Sequence, residues 1–543
     1  MDSNTCVDVA LRWIETCKKE HTACSLTSDG ALPTRVIDVG SDPQPKNPIL
    51  FVTEGQKGSW ATLSHCWGGS TPLTTTIDTI DLRKEGISFG ELPPTFRDAI
   101  ILTRKLGFRY LWIDSLCTTQ DSHEDWAVES AKMHEIYAGA SLNISVSSGW
   151  NSQSGIFKSA NQYRHLAGPL VVLPCYSTSR SIQGLVSFRL KLERYPMLQL
   201  SKEPLHSRAW VMQESILSPR RLDFGSTQLH WSCRSTNFSE GMPDEAELID
   251  PLYVGAKNLF QIPFKEYKAY PDLKSSGVYS TPMSWWYGAL ESYFQRGITK
   301  QEDLLPAIGA VAKEISERSG YHYKAGLWLE DLPRGLLWQR RNSTDKSLET
   351  FAPSWSWAST SHPNNSRSFF LDVYRPEFRV KVLEADATNK HNNPFGKVIS
   401  ASLKLQGHTR PLGYWHSNSR PIYNENPDMY LFNQWLLPWS VNTNQYPALG
   451  RVLCTLDERS ECENCHSELV HRGVICIQVA KFGHLGPDPK FWHLVNDEVT
   501  TVYALMLEPT GRAVNEYKRI GIAEIPEDDG MADDWEVKVV TIV

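Results

Sequence analysis

The sequence predicts an α/β domain built on a parallel sheet, followed by a mixed α+β, β-rich C-terminal region. Three observations carry this. Ala61-Thr-Leu-Ser-His65 and Tyr110-Leu-Trp-Ile113 are short apolar runs of strand length, and polar, reactive side chains follow each. Helical periodicity lies between them and again after the second. A third strand pattern follows, in which Leu142, Ile144 and Val146 alternate with polar residues. Strands separated by helices pair in parallel through right-handed crossovers. Ligands of such sheets bind beyond the carboxyl ends of the strands. His65-Cys66 and Asp114 are therefore expected on one edge.

The chain has 543 residues, enough for more than one domain. With 41% hydrophobic and 22% charged residues it reads as globular. The net charge of 55 − 62 = −7 argues against nucleic acid as the main partner. No apolar run reaches the roughly 18–20 residues that span a bilayer. Met1-Asp-Ser-Asn-Thr-Cys6 lacks a secretory pattern, so a cytoplasmic location is expected, with the 11 cysteines mostly as thiols. The 19 tryptophans read first as core anchors.

In chain order, residues 7–24 read as a helix with Cys17, His21 and Cys24 on one face at i, i+4 and i+7. The trio is either three zinc ligands or a small buried face. Tetrahedral zinc needs a fourth ligand, and none lies nearby in sequence. Leu32 to Asp38 reads as a strand. Leu92-Pro-Pro-Thr95 opens a helix with Phe96, Ala99, Ile100, Thr103 and Leu106 at helical spacing, stopped by Gly107. Asp121 or Ser122 caps the next helix, with Glu124 or Asp125 completing a capping box. That helix sets Trp126, Glu129, Ser130, Met133 and Tyr137 on one face. Arg221 to Trp231 reads as a hairpin turning at Gly225-Ser226. Residues 285–294 and 302–315 read as helices. Beyond about residue 350 the pattern is mainly β, with Pro353-Ser-Trp-Ser-Trp357 among the strand-like segments. Cys454, Cys462-Glu-Asn-Cys465-His466, His471 and Cys476 form a second zinc-like set, or a solvated hairpin.

Several spaced motifs together resemble the fungal heterokaryon-incompatibility (HET) domain. They are Ala61-Thr-Leu-Ser-His-Cys-Trp-Gly68, Leu92-Pro-Pro-Thr-Phe-Arg-Asp-Ala99, Tyr110-Leu-Trp-Ile-Asp-Ser-Leu-Cys117, Gln120-Asp121, Asp125-Trp126 and Arg208-Ala-Trp-Val-Met-Gln-Glu214. The flanks are similar to those of stand-alone members: Trp13, Cys17, His21 and Cys24 before, Ala352-Pro-Ser-Trp-Ser-Trp357 and Glu516-Tyr-Lys-Arg-Ile-Gly521 after. Ala209 stands where the family usually has Gly, and Thr118 where it is usually aliphatic. The resemblance implies a HET domain over residues 58–216, an N-terminal helix and strand over 1–57, and a C-terminal α+β region over 217–543. It further implies programmed cell death after fusion of unlike fungal cells, and a fold likened to TIR domains, some of which hydrolyse NAD. Stand-alone members also occur beside secondary-metabolite genes, so a biosynthetic enzyme and a non-catalytic recognition module remain alternatives. There is no Gly-x-x-x-x-Gly-Lys-Ser/Thr loop, and no cofactor is expected. The expected partner is a small-molecule or nucleotide ligand, with a protein partner or self-association also open.

The candidate catalytic residues are His65, Asp114, Cys117, Glu129 and Glu214. Cys117 could pair with His65 as a thiol nucleophile, or be a small core residue. Asp114 is a general base or ribose-hydroxyl acceptor, or it caps the next loop's amides. Glu129 lies on an apolar face, where desolvation would raise a carboxyl pKa; the alternative is a salt bridge, with Arg97 or Arg208. Glu214 either locks to Arg208 or faces the same pocket as His65. Candidate binding residues are Ser64, Cys66, Trp67, Gly68, Asp121, Trp126, Arg208, Trp210 and Gln213.

Overall fold

The computed structural model describes residues 3–24, 30–40, 47–69, 72–159, 171–176, 183–188, 203–240, 282–340, 351–359, 367–369, 377–411, 434–440, 449–456, 472–483, 500–526 and 535–543. The chain forms two compact units, Met1–Pro263 and Phe264–Val543.

In the first unit, helix α1 (Ser3–Glu20) leads into the hairpin β1 (Arg35–Asp38) and β2 (Ile49–Val52). Strand β3 (Trp60–Ser64) follows, then α2 (Ile80–Glu85), α3 (Pro94–Lys105), β4 (Tyr110–Trp112), α4 (Asp114–Cys117), α5 (His123–Ala131), α6 (Met133–Gly139) and β5 (Leu142–Ser145). After α7 (Ile156–Ser159) and the hairpin β6 (Val171–Tyr176) and β7 (Gln183–Phe188) come α8 (Val211–Leu217), β8 (Arg220–Phe224), β9 (Leu229–Cys233) and β10 (Asn237–Ser239).

Eight strands form one sheet in the order β10-β9-β8-β5-β3-β4-β1-β2. β3 pairs in parallel with both β4 and β5, and β5 with β8. The outer strands pair antiparallel, so the sheet is mixed rather than wholly parallel. Counted along the chain, the parallel strands run second, first, third, fourth. This order reverses direction between β3 and β5, and such a switch point is where doubly wound sheets hold ligands.

Side chains along β3 alternate between the two helical layers. Trp60 donates its indole N–H to the Ile136 carbonyl of α6 at 3.1 Å, and Ser64 faces α8. His65, one residue on, stands edge-on to Phe96 of α3, with ring centroids 5.0 Å apart. Helix α3 therefore covers one face and α6 with α8 the other. The predicted face of α3 is the buried one: Phe96, Ala99, Ile100, Thr103 and Leu106 all lie in the core. All four residues of β5 are buried, the polar ones between Leu142 and Val146 included. A strand flanked on both sides and covered on both faces has no wet side.

The helix expected after residue 122 divides at Lys132. Its N–H reaches back three residues to the Glu129 carbonyl, a tightened turn that separates α5 from α6. Ser122 is the cap, accepting from the Asp125 amide at 3.2 Å. The Asp125 carboxylate serves elsewhere, taking both its oxygens to Arg35 at 2.6 and 2.7 Å. Arg35 also donates to the Cys117 carbonyl, and so ties β1 to the end of α4. Trp126 is 37% exposed, not buried on the shared face. The Trp stands edge-on to Trp210 at 6.4 Å.

The second unit has helices over Pro282–Phe294 and Pro306–Ser319 and a largely antiparallel nine-stranded sheet. Its core includes the fully buried Trp286, Trp328, Trp338, Trp355 and Trp357. Pro353 to Trp357 is not a strand. The Ser356 amide closes a turn on Pro353, and Trp357 opens a 3-10 helix whose indole N–H donates to the Gly326 carbonyl at 2.8 Å. The turn lets both indoles enter the core, where an extended strand would send them to one face only with Ser356 opposite. The segment also meets the strand Glu516–Pro526, since the Arg519 amide donates to Ser354 Oγ at 2.9 Å. The Arg519 guanidinium donates to the Leu336 and Trp338 carbonyls at 2.6 Å each and lies 3.6 Å over the Trp338 ring. The Cys462, Cys465, His466 and His471 group falls outside the described residues.

Gly68 and Gly107 separate backbone strain from steric conflict. Both have a φ of +80°, but an added Cβ at Gly68 would sit 2.4 Å from Asn151 Cβ, whereas Gly107 opens onto free space. Gly107→Ala is expected to cost about 1–2 kcal/mol from the left-handed backbone alone. Gly68→Ala should cost at least about 1 kcal/mol more, because the Asn151 backbone must also shift. Chemical denaturation of the two variants checks this, and equal losses would refute the steric part.

Candidate functional site

The carboxyl ends of the parallel strands gather polar side chains that helices bring from both faces. On the α6–α8 face, Ser64 Oγ donates to Glu214 Oε2 at 2.5 Å. Tyr137 of α6 is hydrogen-bonded to the same pair. Asn143 stands 3.1 Å from Ser64 through its amide oxygen, while its amide nitrogen is buried without a partner. The two amide atoms are interchangeable by rotation. Ser64 has one proton, and Glu214 takes it. With the nitrogen turned toward Ser64 the chain reads Asn143 to Ser64 to Glu214, and the orphaned donor is satisfied.

Glu214 is buried at 7% exposure. Burial raises its pKa to about 7, against the lowering effect of the Ser64 hydrogen bond and the nearby Arg208. A carboxyl group that titrates near neutrality can both give and take a proton. The same burial drives the Tyr137 phenol well above its ordinary value, so it stays a donor.

Arg208 reaches over the strand end and donates to the His65 carbonyl. Its charge acts on Glu214, Cys66 and His65 alike. His65 faces α3, on the opposite side of the sheet from Glu214, and its Nε2 is buried without a partner. Desolvation lowers its pKa to about 4, so it is neutral at pH 7. Asp114 opens α4. Its Oδ1 accepts from the Ser115 amide at 2.7 Å, and its Oδ2 from the Trp67 indole at 2.9 Å. Gly68 follows Trp67 and lets the chain turn against Asn151. Cys66 packs with Leu205 and Val211, and burial pushes its thiol up to about 11.

The other predicted residues make contacts of their own. Cys117 is fully enclosed and its thiol is pushed up to about 12 by burial. Among the described residues no hydrogen bond joins its sulfur to His65. Glu129 is buried at 2% and pairs with Lys132 at 3.2 Å, not with Arg97 or Arg208; Lys132 in turn donates to Thr34. Asp121 accepts from the Ile77 amide at 2.9 Å and so fixes a loop. Gln213 is buried against the Met133 sulfur at 3.8 Å. Trp210 precedes α8 and packs on Trp126.

Tyr137 and Asn143 escaped the sequence reading as site residues. Tyr137 stood on a helix face that looked apolar. Asn143 had a usable signal: an amide between Leu142 and Ile144, in a strand that topology buries on both faces, must have a protein partner.

These features define an α/β domain with a buried, hydrogen-bonded carboxyl group near the switch point of its parallel strands. Residues 60–214 match the family model described as Heterokaryon incompatibility protein (HET), so this segment is a HET domain, which supports a heterokaryon-incompatibility type of function at the level of the family. The match covers β3 through most of α8's first turn and none of the second unit. Comparison with curated proteins and with solved structures finds no match. Among the described residues, no helix is long and apolar enough to cross a membrane.

The Glu214 shift fixes the sign of a pH dependence. The folded pKa of about 7 lies above the ordinary value of 4.5, so the folded state holds the extra proton between those values. Wild-type stability should therefore fall as pH rises from about 4.5 to about 7, by up to roughly 3 kcal/mol, and level off above. Glu214→Gln should remove this component. Denaturation of both proteins from pH 4.5 to 8 tests it; identical pH slopes would contradict the assignment.

Proposed function

We propose that this chain is a HET-type effector of programmed cell death that acts on a nicotinamide nucleotide at the carboxyl ends of β3, β4 and β5. The observation that carries the reading is the buried Glu214 carboxyl, hydrogen-bonded to Ser64 and Tyr137 and titrating near pH 7. The strand order supports it, because a reversal between β3 and β5 is the place where doubly wound sheets bind nucleotides. The same order supports the likeness to TIR folds.

The chemistry follows from the charge of the substrate. Nicotinamide is a cationic leaving group and departs neutral, so no acid is needed to release it. The ribose carbon becomes cationic as the bond breaks, and water must then lose a proton. The ionised Glu214 carboxylate supplies both an anion beside that carbon and a base for the water. The reaction takes NAD and water to ADP-ribose, nicotinamide and a proton. Asp114, held by the Trp67 indole, adds a second anion, and Arg208 offers a cation to the nucleotide's phosphates.

Incubation of purified protein with NAD, followed by chromatography of nicotinamide, tests the reading. Wild type should release nicotinamide, with a rate that rises as pH passes about 7 and Glu214 ionises. Glu214→Gln should lower the rate by at least about 100-fold. Glu129→Gln, altered at the Lys132 pair, should retain most of it. Unchanged NAD with folded wild type would sink the proposal. Turnover of a small organic substrate in place of NAD, lost in Glu214→Gln, would instead establish the biosynthetic alternative.

A further inference from the structure

Four metal-binding side chains meet at the opposite edge of the sheet. Cys17 and His21 lie at the end of α1, and Cys24 lies in the 3-10 turn Thr22–Cys24. Their spacing leaves a tetrahedral site one ligand short. Cys233 completes it from the last position of β9, where it pairs with Arg220 at the start of β8. The three sulfurs and a His21 ring nitrogen all lie within 4.8 Å of one another. The Cys233 sulfur is 3.4 Å from His21 Nδ1. Zinc–sulfur bonds of about 2.3 Å set tetrahedral ligand atoms roughly 3.8 Å apart, so small rotamer changes would close the set on an ion.

The surroundings point the same way, and independently. Arg220 is buried at 4%. Among the described residues it has no carboxylate partner: its guanidinium donates to Cys17 Sγ at 3.2 Å, to the Cys24 carbonyl at 2.8 Å and to the Ser141 carbonyl at 3.5 Å. A buried guanidinium without an anion is costly. Three thiolates and a neutral imidazole around a divalent cation carry a net charge of −1, which offsets it. Cys233 also accepts from the Thr236 amide at 3.3 Å, the kind of N–H to sulfur bond that orients a thiolate ligand.

We propose that Cys17, His21, Cys24 and Cys233 bind one structural zinc ion, with Arg220 as the buried counter-charge. The site has four protein ligands and so keeps no open position for chemistry. Its effect is to fasten α1 to the turn between β9 and β10. On binding, the three thiols give up their protons to solvent and the ion takes their lone pairs, so no oxidant or reductant takes part.

The test is metal analysis of the full chain purified in reducing buffer with zinc supplied. Wild type should hold one more equivalent of zinc than either Cys17→Ser or Cys233→Ser. Zinc held anywhere else in the chain would not change between them. Cys233→His keeps four donors and should keep the ion. If the serine variants do not fold, cobalt exchange into wild type decides. Strong visible bands of tetrahedral cobalt, with sulfur-to-metal charge transfer that weakens in Cys233→His, are expected. Wild type without zinc, equal zinc in wild type and both serine variants, or a weak octahedral cobalt spectrum would each overturn the proposal.

Discussion

A carboxyl group taken out of water needs protein atoms to replace its hydration, and much of the first unit is arranged around meeting that need for Glu214. Ser64 is the last residue of the central strand, so its hydroxyl points at α8 only if β3 keeps its register with both neighbours. Tyr137 reaches the pair only because the chain turns at Lys132 and starts α6 afresh. Loss of either partner would leave a desolvated carboxyl group short of a hydrogen bond, so packing and polar satisfaction at this edge depend on the same residues.

Much of this was legible in the sequence, for reasons that can be named. Apolar runs of strand length alternating with helical periodicity specify parallel pairing, and β3, β4 and β5 pair so. Edge position was not legible, because the antiparallel hairpins on either side share the same local patterns as core strands. Ser64, His65, Asp114 and Glu214 were picked from their places at strand ends and in a spaced motif. Asn143 was passed over because it stands inside the third strand rather than at a strand end or in a spaced motif. Pro353 to Trp357 was read as β along with the mainly β pattern beyond about residue 350. The decisive facts there are the Ser356 turn and the Gly326 carbonyl, which local sequence does not reveal. Cys233 was out of reach for another reason: nothing in a sequence links it to Cys24 until β8 and β9 have been placed.

The two flanking motifs of the second unit have a shared physical basis. Ser354 and Arg519 are hydrogen-bonded, and Arg519 answers two carbonyls that flank a buried tryptophan. A guanidinium lying flat on an indole is weakly hydrated and can donate to two backbone oxygens at once, which a lysine could not do over the same reach.

The sheet also outruns the residues that identify it. The family match begins at Trp60 and stops at Glu214, yet β1 and β2 lie before it and β8, β9 and β10 after it, all in one hydrogen-bonded ladder. A fragment cut at the match would keep only three of the eight strands. It would also expose bare amides and carbonyls along both β4 and β5, and such edges invite pairing between molecules. The segment that the family match marks out is thus smaller than the segment that can bury its own backbone.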